Sequence, residues 1–415
     1  MGSKIFIVDE MMGAGKTSAA INYMNRAPST ERFMFVTPFL SEIEDRIIPL
    51  CKAKDIATPI SSKGDTKYKN LVELVSAGRN IATTHALFDR MTPRLAQMIA
   101  DKGYTLIMDE VHDSLRDFGI TKHDWSFVAG LTTIDSQTGL VRWDDDMKDY
   151  TGKFEQMKYM CDTKQLYNNG GASFVRAFPC DIFTLFTKAI FLTYMFDAQV
   201  QRCFFDLNGI EYERLYVQKV ESEYFFTDKG VTHGNETDYR SLIHILDNER
   251  MNRIGNDRFS LCAQWYGKAD SEQLQQIKSN LVNFFINITK SRSRDNMWTA
   301  FKNTKQALAG KGYTKGFVSA RIRATNKYRE RINVAYPINV YLEPGLKRFF
   351  ISHGVRIDED RYALSEMLQC LWRSAIRDGK EIWVYIPSAR MRGLLEQWIE
   401  DNSPAADIFK ETLNK

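Results

Sequence analysis

The chain has 415 residues, of which 44% are hydrophobic and 26% charged, with a formal net charge of +4. These are the values of a soluble globular protein too long for one core, and they suit two domains of about 200 residues each. So mild a charge permits a polyanionic partner without demanding one, and six cysteines with no C-x-x-C pair argue against a zinc site or a disulfide framework and for reduced thiols in a cytoplasm. The first strand starts almost at once, which leaves no room for a signal peptide. The most apolar segment, Phe178 to Phe196, is interrupted by Asp181 and Lys188, so no membrane span is expected.

Ile5, Phe6, Ile7 and Val8 form a continuous apolar run that predicts a strand buried on both faces. A glycine-bearing loop follows, and then a helical run from Thr17 to Met24. Strand, loop with Gly13, Ala14 and Gly15, then Lys16, Thr17 and Ser18 make the phosphate cradle of nucleotide-binding P-loops. Loop N–H groups point at phosphate oxygens, Lys16 reaches the β- and γ-phosphates, and the Thr17 hydroxyl ligates Mg²⁺. The position of the motif's first glycine holds Glu10. A nucleoside triphosphate, ATP with Mg²⁺, is the expected ligand.

Three more buried strands are predicted, at Phe33–Val36 ending in Thr37-Pro38, at Asn80–Thr84 ending in His85, and at Tyr104–Met108. The last runs directly into Asp109 and Glu110. Strands alternating with helical segments argue for a parallel α/β sheet, in which ligands bind beyond the carboxyl ends of the strands. Asp109 is expected to hold Mg²⁺ and Glu110 to orient and deprotonate the attacking water.

With these residues the chain resembles superfamily 2 helicases of the DEAD/DEAH-box type, closest in look to a bacteriophage-encoded group. Gly13 to Thr17 match motif I and Asp109-Glu110-Val111-His112 match motif II. Phe35 to Leu40, with Thr37 and Pro38, look like motif Ia, and Ala82-Thr83-Thr84-His85 like motif Ib. The resemblance implies that both touch the sugar-phosphate backbone. Phe191-Leu192-Thr193-Tyr194 occupies the place of motif III and shares only Thr193 with it. The family core does not need the span between motifs II and III, an insertion at about 114–188 with Asp144, Asp145, Asp146 and many aromatics. It reads as an accessory element or as extra surface structure on the first lobe.

The strand at Tyr212 to Val217 closes the first lobe, and a polar hinge region follows from Asp228 to Glu236. The second lobe is expected to hold a strand at Phe259–Ala263, a helix from Glu272 to Lys290 and a strand at Gly316–Ala320. Trp265 and Tyr266 end a strand in this reading and either stack on bases or fill the core. The most basic stretch contains Arg321, Arg323, Thr325 and Asn326, suited to phosphate contacts and similar to motif V. Ala363 to Arg377 reads as one helix that presents Gln369, Arg373 and Arg377 on one face. It resembles motif VI, whose arginine reaches the γ-phosphate, and here Arg373 or Arg377 would be that finger.

The expected architecture is therefore two tandem RecA-like P-loop lobes with parallel sheets, 1–222 and 223–415, with the insertion in lobe one. The expected activity is that of a nucleic-acid-dependent ATPase that translocates on and unwinds DNA, single-stranded or forked, in phage replication or recombination alongside the proteins of those processes. RNA stays open as the track. A translocase that remodels or anneals without strand separation, an ATP-switched DNA-binding protein and a small-molecule P-loop kinase are the alternatives.

Overall fold

A computed structural model of the chain describes residues 4–62, 65–230, 237–320 and 327–404. The chain divides into two compact units, Met1–Gly230 with Leu342–Asp358, and Val231–Tyr341 with Glu359–Lys415. The segment 342–358, which by sequence falls in the second lobe, thus belongs to the first unit.

Strands of the first unit are β1 (Lys4–Asp9), β2 (Arg32–Thr37), β3 (Ile56–Ala57), β4 (Asn80–Thr84) and β5 (Tyr104–Asp109). The insertion adds β6 (Leu115–Gly119), β7 (Thr132–Ile134), β8 (Val141–Trp143), β9 (Leu166–Asn168) and β10 (Ser173–Ala177). Strands β11 (Lys188–Thr193), β12 (Glu213–Val220) and β13 (Glu223–Thr227) complete the unit. The main sheet has the order β13-β12-β1-β11-β5-β2-β4-β3, parallel throughout except for the β12–β13 hairpin at its edge. The apolar runs seen in the sequence become its central strands, because β5 is buried at every position and residues 33–36 of β2 are fully buried. Each such Phe, Leu or Ile contributes about 1.5–3 kcal/mol by leaving water. Helix α1 (Lys16–Arg26) lays Ala19, Ala20, Ile21 and Met24 onto Val8, Phe35, Ile107 and Leu192.

The insertion folds around its own small core, an antiparallel β6-β10-β9 sheet beside the β7–β8 hairpin. Trp143, Met157, Leu166 and Phe174 fill it, and Trp125 packs edge-on against Phe174. Of the aromatics that mark this span, Trp143 and Phe174 lie in the core, Trp125, Tyr150 and Phe154 pack against it half-buried, and Phe127 and Tyr159 are exposed. Helix Pro344–Ser352 rests on β6 and β10, with Asn169 donating to the Gly345 oxygen at 2.6 Å.

The second unit holds β14 (Ile243–Ile245), β15 (Asn296–Ala300), β16 (Phe317–Ser319), β17 (Asn333–Ala335) and β18 (Ile382–Tyr385). They form a parallel sheet of order β14-β18-β17-β15-β16. The strand expected at Phe259–Ala263 does not form. Leu261 takes a left-handed φ of 63°, and the Cys262 Sγ caps a short helix, Ala263–Tyr266. Tyr266 is buried and hydrogen-bonded to the Pro337 oxygen, so it fills the core. The helix expected from Glu272 is present as Ser271–Val282 and continues as a π-turn to Ile288.

Candidate functional site

The P-loop leaves β1 at Asp9. The Glu10 amide donates to the Thr193 oxygen at 3.1 Å, and the Ala14 amide closes a turn onto the Met11 oxygen at 3.2 Å. Gly13 and Gly15 take φ values of 90° and 89°, a region that L side chains avoid. Gly15 is doubly constrained, since a Cβ there would fall 2.2 Å from Cδ1 of Tyr224 on β13. The edge hairpin thus backs the P-loop. The Asn22 amide of α1 donates to the Tyr224 oxygen at 3.0 Å and fixes that contact.

Lys16 folds back onto its own loop, donating to the oxygens of Glu10 and Met11, the latter at 2.9 Å. Burial lowers the pKa of its amine, against the opposing pull of Glu110, Asp109, Asp9 and Glu10. Thr17 Oγ1 lies 3.5 Å from Asp109 Oδ1. Asp109 ends the fully buried β5, and its pKa is pushed up to about 7, first by burial and then by Glu110 and Glu42, with Arg46 and Lys16 opposing. Glu110 has a left-handed φ of 67° and donates its amide to the Leu192 oxygen at 2.9 Å. Motif III therefore meets motifs I and II through main-chain oxygens, those of Thr193 and Leu192. A hydroxyl and a carboxylate this close are hard oxygen ligands of the type that Mg²⁺ takes together with a nucleotide's phosphates. No group of three or more His, Cys, Asp or Glu among the described residues could hold a metal without such help.

The sequence-matched nucleic-acid positions are distributed differently. The β2–β4 register sets Val36 beside Thr83 and Thr37 beside Thr84, so motifs Ia and Ib end side by side. Thr37 and Thr83 are buried, whereas Pro38, Thr84 and His85 are half-buried. His85 Nε2 donates to the Asp109 oxygen at 2.9 Å, so motif Ib braces motif II. The motif V residues Arg321, Arg323, Thr325 and Asn326 lie outside the described residues.

Motif VI needs a correction, because the helix ends at Leu371. Ser374 is extended, the Ala375 amide goes to the Arg331 oxygen instead of the helix ladder, and a 3₁₀ turn spans Ala375–Asp378. Gln369, Arg373 and Arg377 therefore share no single helical face. Arg373 is 7% exposed and donates Nε to the Gln369 oxygen at 2.9 Å, while Arg377 is half-buried.

Three residues at the first unit's site carry no motif signature: Tyr224, Glu42 and Arg46. Helix Leu40–Glu42 runs into a π-turn, Ile43–Ile47, in which Ile43 and Ile47 bury into the α1 core. That leaves Arg46 donating Nη2 to Ser18 Oγ at 3.1 Å and Glu42 nearly buried 3.9 Å from Arg46.

A P-loop-like turn and a strand-end carboxylate pair on one parallel α/β unit, with a second parallel unit after it in the chain, define a fold of two RecA-like lobes. The chain belongs to the YonV family. It is 38% identical over 413 residues to the SPbeta prophage-derived uncharacterized protein YonV of Bacillus subtilis (strain 168), covering 96% of this chain and 99% of that one. Family models match at residues 237–399, the YonV C-terminal Rossmann-like domain, and at 115–171, the YonV middle domain. Among solved structures, a chain described as XPD_APO aligns over 95% of both chains at 11% identity with a TM-score of 0.50, a likeness of fold. A hypothetical ATP-dependent RNA helicase from Sulfolobus tokodaii overlaps loosely, at 9% identity and a TM-score of 0.27 over 92% of this chain and 87% of that one. No helix among the described residues is long and apolar enough to cross a membrane.

Proposed function

We propose that this protein is a nucleic-acid-dependent ATPase that translocates on and unwinds DNA. The observation that carries the reading is the convergence of Lys16, Thr17 and Asp109 at one end of the main sheet, with Glu110 next in sequence. The prophage-derived relative and the helicase-like fold support a phage replication or recombination setting.

In this reading Gly13 to Ser18 bind the phosphate chain, and Lys16 leaves the Glu10 and Met11 oxygens to meet it. Thr17 and Asp109 would hold Mg²⁺, which neutralises phosphate charge and draws electron density from the transferred phosphoryl group. Glu110 accepts the proton of the attacking water, and its strained backbone, held by the Leu192 oxygen, fixes where that carboxylate points. Arg373 or Arg377 stays the candidate arginine finger, on their resemblance to motif VI of superfamily 2 helicases. Thr84, Pro38 and the 321–326 run grip the strand.

A strand-displacement assay on forked DNA, run beside single-strand translocation, tests the finer claim. Displacement that requires ATP and is lost in Lys16→Ala is the expected result. ATP-driven translocation with no displacement would assign a remodelling or annealing translocase instead.

A further inference from the structure

We propose that Arg46 is a direct ligand of the nucleotide's phosphate chain, a second cation beside Lys16 supplied by the same unit, with Glu42 as its positioning residue. The inference rests on the reading of the P-loop as a nucleotide site and adds to it a binding residue outside the helicase motifs.

Arg46 stands at the first turn of α1, where its Nη2 donates to Ser18 Oγ at 3.1 Å. Ser18 follows the Lys16-Thr17 pair directly, in the turn whose N–H groups point at phosphate. The side chain of Arg46 is 27% exposed, so it borders solvent at this end of the sheet. A guanidinium carries five N–H donors, and Glu42 Oε2 lies 3.9 Å from Nη1 of Arg46. One of these donors, on Nη2, is given to Ser18 Oγ beside the Lys16-Thr17 pair. Ser18 adjoins Thr17, whose Oγ1 lies 3.5 Å from Asp109 Oδ1, so Arg46 stands one residue away from the hydroxyl opposite that carboxylate.

Glu42 is 9% exposed, and its Oε2 is a buried carboxylate oxygen that accepts no hydrogen bond. A buried carboxylate without a close donor is costly, and it is tolerated here by the Arg46 charge. The backbone explains the placement. A π-turn at Ile43–Ile47 widens the helix where Ile43 and Ile47 enter the core, and such turns occur disproportionately at functional sites.

The test is equilibrium binding of fluorescent ADP and a non-hydrolysable fluorescent ATP analogue to the full chain and its Arg46→Ala, Arg46→Lys, Glu42→Gln and Lys16→Ala variants, each checked by thermal melting. Arg46→Ala is expected to bind about 10- to 100-fold more weakly, the span of a charge-assisted hydrogen bond. Arg46→Lys should recover part of that loss, and Glu42→Gln should weaken binding less than Arg46→Ala. Wild-type affinity in Arg46→Ala beside lost binding in Lys16→Ala would overturn the proposal. So would a lowered melting temperature in Arg46→Ala with unchanged affinity, which would make Arg46 a brace of the π-turn alone. Failure of the unmodified protein to bind either nucleotide would instead overturn the underlying function.

Discussion

His85 Nε2 donates to the main-chain oxygen of Asp109 across 2.9 Å, tying the end of β4 to the last residue of β5. The ring also lies 6.0 Å from His112, which is buried among Phe88, Phe178 and Phe183. His85, the end of the insertion at Phe178 and Phe183, and the carboxylate pair are thereby one packed unit. His85→Ala is predicted to lower kcat for ATP about 5- to 10-fold with little change in KM, the size of one hydrogen bond acting through position. An equal rise in KM would show that His85 serves nucleotide binding instead.

Asp109 should make the site pH-dependent. With its pKa pushed up to about 7, Asp109 carries a proton in part of the sites near neutral pH, and a divalent cation must displace it. Mg²⁺-nucleotide binding is predicted to weaken from pH 8 to pH 6 and to release protons at neutral pH. Calorimetry in buffers of different ionisation heat measures this, and Asp109→Asn should abolish the release.

The same shift has a sign for stability. The folded pKa lies above the unfolded value of 3.8, so the neutral carboxyl is favoured in the fold, and that contribution is lost as pH rises through about 7. Asp109→Asn is therefore predicted to melt like the parent near pH 4 and several degrees higher at pH 8. Equal melting at both values would refute the burial argument.

Gly15→Ala meets both a left-handed φ and the Tyr224 ring. It is predicted to cost about 1–3 kcal/mol of stability and to abolish nucleotide binding. Tyr224→Ala in the same chain should restore part of the melting temperature, because it removes the clash and leaves the strained φ.

Much of this site was legible because its elements are local. Apolar runs marked β1, β2, β4 and β5, and Lys16, Thr17, Asp109 and Glu110 sit beyond the ends of β1 and β5 in recognisable order. What was hidden depends on tertiary contacts. Residues 41–46 carry no motif, and it is the burial of Ile43 and Ile47 that sets Arg46 beside Ser18. The helix through Gln369 looked continuous to Arg377 because nothing before Asp378-Gly379 forbids it. It stops early because the Arg331 oxygen takes the Ala375 amide, a partner 44 positions away. Phe259–Ala263 is apolar enough for a strand, yet a left-handed Leu261 and a capping Cys262 make it a turn that leads into the helix Ala263–Tyr266.

The most direct test of the central claim is steady-state ATP hydrolysis, alone and with single-stranded DNA, duplex DNA or RNA, beside Glu110→Gln. Strong stimulation by single-stranded or forked DNA, lost in the variant, is the predicted result. Hydrolysis that no nucleic acid changes would contradict the account, and stimulation that survives Glu110→Gln would contradict the role given to that carboxylate.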